Sequence, residues 1–213
     1  MSKIPNWSCD KFLDETFSKE PVPGGGGVAA LVGGLGTALA GMVCNLTIGK
    51  KKYAEYENDL QEILKKAEFL KAKFSLLIDL DAENFYPLSQ CYSLPRNTEE
   101  EKAIREEKIQ EGLKKAVLAP IEMVKISYDA IKLMDELSEK GSKMVLSDVG
   151  CGVLCLKASL QAAWLNVLVN LKSIKDKEFT NEIEDELLTK VTEGEFLADK
   201  IYEEILNYFV YEK

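Results

Sequence analysis

The chain of 213 residues contains no histidine. That excludes Ser-His-Asp and Cys-His catalysis and the common zinc sites built on imidazole. Any acid–base chemistry falls to Asp, Glu, Lys, Tyr or Cys. Proline is scarce, with six in all, and no alternating strand pattern runs beyond a few residues. The N-terminal stretch "MSKIPNWSCDKF" lacks the apolar core of a signal peptide. Cysteines number five, an odd count at irregular spacing, which fits reduced thiols in a cytoplasm. Cys151 and Cys155 share a helix face, but two thiols without further ligands do not make a metal site, and none is expected. The net charge of −9 leaves no basic stripe long enough for a nucleic-acid surface.

Helical periodicity fills the chain. The pattern predicts helices near 8–19, 26–48, 53–93, 98–139, 146–174 and 177–210. The fourth is expected to break near Pro120, which has no backbone N–H to donate. In "SLPRNTEEEK", Thr98 and Glu101 have the spacing of a capping box. The expected fold is all-α, a single-domain bundle of about six helices over 1–213, several of them long.

Between Pro21 and Gly49, in "PVPGGGGVAALVGGLGTALAGMVCNLTIG", there is no charged residue, in a chain that is 30% charged. On a wheel of about 100° per residue, Val28, Val32, Leu35, Leu39, Met42 and Leu46 form one face. Ala30, Gly33, Gly34, Thr37 and Gly41 form the opposite one. No face is left for water, so both are expected to be buried, and the small one admits close approach of a backbone or a flat ligand. The length suits a membrane span, but there is no aromatic belt and glycine is abundant. A central bundle helix is the better reading, with no membrane partner. Gly24-Gly25-Gly26-Gly27-Val28-Ala29 loosely fits a dinucleotide fingerprint, yet a helix rather than a strand precedes it. What remains is a glycine loop entering a helix start, offering free N–H groups or simply close packing.

In "SLLIDLDAENFYPL" the stripe Leu60, Ile63, Ala67, Leu70, Phe74, Leu77 continues to Asp81, Phe85 and Leu88. Asp81 therefore takes a core position, whereas its exposed neighbour Asp79 points elsewhere. A buried carboxylate is costly and its pKa rises, which suits proton transfer near neutral pH. The alternative is a structural Asp satisfied by a neighbour. In "SDVGCGVLCLKASLQAAWLNVLVNL", Ser147 or Asp148 reads as an N-cap. Asp148, Gly152, Cys155, Ser159, Ala162, Asn166 and Asn170 then align as a polar, small-residue stripe. The two asparagines either bond neighbouring helices or line a groove that reads a heterocycle.

Together these stretches, with "DAENFYPL" followed by "LPRNTEEEKAIR", resemble the cyclodeaminase/cyclohydrolase family, which comprises the C-terminal domain of formiminotransferase-cyclodeaminase and stand-alone methenyltetrahydrofolate cyclohydrolases. The resemblance covers nearly the whole chain. It implies an all-helical fold, a homodimer or larger assembly, a folate substrate and no further cofactor. It points to Asp81 as the catalytic acid–base group. Gly24, Gly25, Gly26, Ser147, Asp148, Asn166 and Asn170 match the remaining motifs and are implied substrate contacts. Lys51, within Lys50–Lys52, is placed to attract the folate glutamate tail, or else is a solvated helix end. The family's usual Ser is Gly27 here, and its usual Ala is Asn84, a polar group beside the site. The implied reaction is cyclohydrolysis of methenyltetrahydrofolate, with formiminotetrahydrofolate cyclodeamination, or a non-catalytic folate-binding or scaffold role, as alternatives.

Overall fold

The computed structural model describes residues 3–211, which form seven α-helices and no strand. They are α1 (Cys9–Phe17), α2 (Gly24–Asn45), α3 (Glu57–Cys91), α4 (Glu99–Ala116), α5 (Leu118–Lys140), α6 (Leu146–Ser173) and α7 (Lys177–Tyr211). Short 3₁₀ turns stand at Ile4–Asn6, Lys51–Tyr56 and Lys143–Val145.

The all-α expectation holds, with two changes in how the helices are cut. The predicted fourth helix is two, joined at Val117. Pro120 cannot donate to the carbonyl of Ala116, and α4 ends at Ala116. Pro120 sits in the first turn of α5, where a missing N–H costs little. The second change is at the glycines. Gly24 and Gly25, expected in a loop before the helix, belong with Gly26 and Gly27 to the first turn of α2 itself. Gly24 takes φ +56°, the left-handed region that favours glycine. The capping box on α4 forms as expected. Glu101 N donates to Thr98 Oγ1 at 3.1 Å, and Thr98 N donates to Glu101 Oε2 at 3.2 Å.

Helix α2 is the inner element. It packs between α3 and α6, with α5 behind and α7 on the outer side of α5 and α6. Along its length Gly26 faces Asp81, Gly33 faces Phe74 and Gly41 faces Leu64, so α3 runs antiparallel to it. Gly25 faces Asn166, Gly33 faces Ser159 and Gly36 faces Gly152, so α6 does the same. The small face is what allows this. A β-carbon on Gly36 would lie 2.8 Å from the carbonyl oxygen of Gly152. Buried hydroxyls tie the layers together. Ser159 Oγ donates to the carbonyl of Ala29 at 2.8 Å and lies 3.1 Å from Ser127 Oγ, linking α6 to α2 and α5.

The large face of α2 departs from expectation. Leu35, Met42 and Leu46 are exposed within the single chain, while Val28, Val32 and Leu39 of the same face are half-buried. α2 is long and apolar enough to cross a membrane, as is the segment 143–173. In this fold both pack against other helices along one side.

The small face makes a direct prediction. Gly36→Ala gains helix propensity of about 1 kcal/mol but meets the backbone of α6, so a net loss of about 1–3 kcal/mol is expected. At Gly41 the nearest atom to an added β-carbon is Leu64 Cδ1 at 3.9 Å, and Gly41→Ala should stabilise slightly. Urea midpoints of the two variants, read beside the wild type, check the contrast.

Candidate functional site

Asp81 is the centre of the site. It lies on the core face of α3, in the row Leu77, Asp81, Leu88 that the sequence predicts, and it is only 9% exposed. Its carboxylate abuts Gly26 so closely that a β-carbon there would overlap it. The Gly26 position is therefore dictated by the carboxylate rather than by backbone conformation. No side chain or backbone group of the described residues gives Asp81 a hydrogen bond or an ion pair. Burial alone pushes its pKa up to about 7. The structure thus disfavours the reading of Asp81 as a charge satisfied by a neighbour.

The first turn of α2 supplies the opposite polarity. Gly27 N is the first to pair, with the carbonyl of Pro23 at 3.0 Å. The N–H groups of Gly24, Gly25 and Gly26 precede it, at the positive end of the helix dipole. Asn166 reaches the same turn from α6, its amide 3.5 Å from where a Gly25 β-carbon would be. Asn166 Nδ2 donates to its own helix at Ala162 O (2.8 Å), and Asn170 Nδ2 to Asn166 O (2.7 Å). Neither asparagine bonds another helix through Nδ2. Gly24, Gly25, Gly26, Asp81, Asn166 and, one turn on, Asn170 therefore gather at one end of the bundle.

The remaining sequence-derived residues do not join them in the same chain. Lys51 is exposed in the turn that follows α2, beyond the far end of a helix about 33 Å long. Ser147 and Asp148 lie at the start of α6, about 27 Å along that helix from Asn166. They also do not cap it. The N-cap position is Val145, no side chain caps the helix, and both residues sit in its first turn. Asp148 there still complements the helix dipole. In this second cluster Tyr53 OH accepts from Lys143 N at 3.0 Å, and Lys50 Nζ approaches Ser142 Oγ at 3.5 Å. The polar stripe of α6 between the two ends is not an open groove, because Gly152 and Ser159 on it pack against α2.

Two residues near Asp81 behave differently from their sequence reading. Asp79 is half-buried rather than exposed, and its Oδ1 accepts from Ile4 N at 2.8 Å, pinning the N-terminal turn to α3. Asn84 is 5% exposed, while Phe85, expected on the stripe, is half-buried. The signal was available, since residues 77, 81, 84 and 88 form a helical row. Cys151 is exposed, Cys155 is half-buried, and both are free thiols. Among the described residues no three His, Cys, Asp or Glu side chains are grouped to hold a metal.

Burial of Asp81 has a stability consequence with a definite sign. The neutral acid is the form the fold prefers, so the penalty is absent below about pH 4, grows through about pH 7 and is constant above it. Its full size is on the order of 4 kcal/mol. Asp81→Asn removes it. The variant should match the wild type in stability at pH 4 and exceed it by a few kcal/mol at pH 8, as denaturant titrations at both pH values would read. A pH-independent difference would contradict the burial.

The sequence profile described as Formiminotransferase-cyclodeaminase matches residues 8–189. A methenyltetrahydrofolate cyclohydrolase of Methylorubrum extorquens is 44% identical over 200 residues, covering 94% of this chain and 96% of that protein. The formimidoyltransferase-cyclodeaminase of Mus musculus is 30% identical over 187 residues, which are 88% of this chain and 35% of the longer protein. A crystal structure of formiminotetrahydrofolate cyclodeaminase from Thermotoga maritima superposes with a TM-score of 0.78 at 28% identity, covering 94% of each chain. By profile, sequence and fold together, this chain belongs to the formiminotransferase-cyclodeaminase family.

Proposed function

We propose that the chain is a methenyltetrahydrofolate cyclohydrolase, in which Asp81 is the acid–base group. The observation that carries the reading is a buried carboxylate with no hydrogen-bond partner among the described residues, its pKa pushed up to about 7 by burial, beside the unpaired N–H groups of a helix start. Such a group both accepts and returns a proton at neutral pH. The 44% identical relative of matching length bears that activity in its name.

The substrate carries its own electrophile, an amidinium carbon between N5 and N10 of the folate. The Asp81 carboxylate attracts this cation and takes a proton from water as the oxygen adds to that carbon. The neutral tetrahedral adduct then receives the proton from Asp81 on N5. The C–N5 bond breaks, the hydroxyl becomes the formyl carbonyl, and its proton leaves to solvent. The products are 10-formyltetrahydrofolate and one proton. No further cofactor takes part. The glycine turn, Asn166 and Asn170 hold the pterin end. A second reading, cyclodeamination, is favoured by the fold of the Thermotoga enzyme. There Asp81 takes the N10 proton as N10 attacks the protonated formimino carbon and returns it to the amino group of the adduct, whose C–N bond then breaks to release ammonia and leave the methenyl amidinium. The five free thiols suit the cytoplasm.

The second cluster finds a role in a homodimer. The uncovered face of α2 is centred on Leu35, and the neighbouring α6 also leaves Leu154, Leu165 and Val169 exposed. A two-fold axis across the middle of α2 sets the partner's helix antiparallel to it. The partner's copies of Lys51, Ser147 and Asp148 then approach the Asp81 end, and Lys51 meets the glutamate tail.

Turnover of methenyl- and formiminotetrahydrofolate by the purified protein tests the reading directly. Asp81→Asn should lose about 10²–10⁴-fold in kcat with helical content intact, while Asp79→Asn, which keeps its acceptor for Ile4 N, should turn over normally. The wild-type kcat/KM should fall as pH drops below about 7, where Asp81 is protonated. Wild-type turnover in Asp81→Asn would rule out the assigned role. For the assembly, light scattering should give two copies, and Leu35→Glu should give one copy with little activity. A fully active monomer would remove the shared-site reading.

A further inference from the structure

We propose that Asn84 is a specificity-determining residue whose amide pairs with the 4-oxo edge of the substrate's pterin while Asp81 works at the adjacent N5. This rests on the folate reading above and names a contact that the reading leaves open. Asn84 follows Asp81 by three residues on α3, so their β-carbons are about 5–6 Å apart on one face. It is 5% exposed, and none of the hydrogen bonds among the described residues engages its side chain. Other buried polar side chains here are satisfied. Thr37, Thr47, Ser127, Ser159 and Asn170 all have partners.

The Asn84 amide is also not sealed. The fully enclosed, unpaired side-chain atoms among the described residues are Trp7 Nε1 and Arg105 Nε. The Asn84 amide therefore keeps contact with solvent through its residual 5% exposure. Its position follows from the helix directions. α3 and α6 run antiparallel to α2 and continue past its first turn, carrying Asn84 and Asn170 one turn beyond Asp81 and Asn166. α4 crosses the end, with Gly112 against Leu88 and Gln110 Nε2 donating to Ser173 O at 3.0 Å.

An amide presents a donor and an acceptor side by side, and it needs a ligand edge that does the same. The pterin carbonyl at C4 and the N3–H are such an edge, in the two-bond manner by which Asn reads a purine. The C4 carbonyl stands beside N5 across the ring fusion. A residue one helical turn from Asp81 is thus placed to hold it.

The test compares Asn84→Ala and Asn84→Asp with wild type. Asn84→Ala should raise KM for methenyltetrahydrofolate about 10–100-fold, with kcat and its pH profile nearly unchanged. Asn84→Asp, which only accepts, should shift the affinity ratio toward the 4-amino analogue of tetrahydrofolate, relative to tetrahydrofolate, by at least about tenfold. Both ligands are read by calorimetric titration, so this arm does not depend on which folate reaction is catalysed. A failure of the wild type to hydrolyse methenyltetrahydrofolate would sink the cyclohydrolase reading and leave the binding ratio to decide Asn84. An unchanged KM in Asn84→Ala or an unchanged ligand ratio in Asn84→Asp overturns the proposal. So does failure of Asn84→Ala to fold, because that would make the amide structural.

Discussion

The Asp81 carboxylate and the backbone of Gly26 occupy adjoining space, with no room for a β-carbon between them. This one contact sets conditions on everything around it. It requires glycine at 26, a helical first turn at 24–27, and an α3 that runs antiparallel to α2 in one register. The register is then held by the fit of Gly33 against Phe74, while Ser159, which hydrogen-bonds the Ala29 carbonyl, fixes α6 on α2. Moving α2 outward by a methyl radius would open the carboxylate to water and return it toward an ordinary pKa. The chemistry therefore depends on packing density as much as on the acid itself.

That arrangement opposes stability and function at a single residue. A carboxylate with no partner in the core is disfavoured when charged, yet a group ionised below pH 5 would be a poor proton donor at neutral pH. The rest of the molecule offsets the cost conventionally, with one connected cluster of buried apolar side chains, Phe12 and Phe74 among them. The glycines of α2 act in the same sense. Each weakens the isolated helix by about 1 kcal/mol, and each that faces α3 or α6 is recovered as close helix contact. The residues proposed to touch substrate divide between the two ends of α2, and its uncovered apolar face lies between them. Both features have one geometric origin, a long helix whose small side is buried within the chain and whose large side is not.

Much of this was legible in the sequence because it rests on periodicity. The position of Asp81 on a core stripe, the break before Pro120, the capping box at Thr98 and Glu101, and the two faces of α2 all follow from spacing on a helix. The misreadings arose where spacing is silent. Gly24 and Gly25 look like a loop, since glycine propensity says nothing of the packing that makes them helical. Ser147 and Asp148 have the composition of an N-cap, but the preceding 3₁₀ turn starts the helix at Leu146. Asp79 falls off the stripe and reads as exposed, because its partner, the N–H of Ile4, is 75 residues away in sequence.

The sequence by itself determined that the protein is helical, that its catalysis proceeds without histidine, and that Asp81 and the glycine-rich segment are its unusual features. These are local properties, written in residue type and in a repeat of about 3.6. Only the tertiary structure decided that Asp81 meets Gly26 and that Asn166 reaches Gly25. It also showed that Asn84 is buried without a partner, and that Lys51 and Asp148 stand at the opposite end. Those facts depend on the directions and offsets of packed helices, which hydrophobic spacing constrains only to a face and never to a partner.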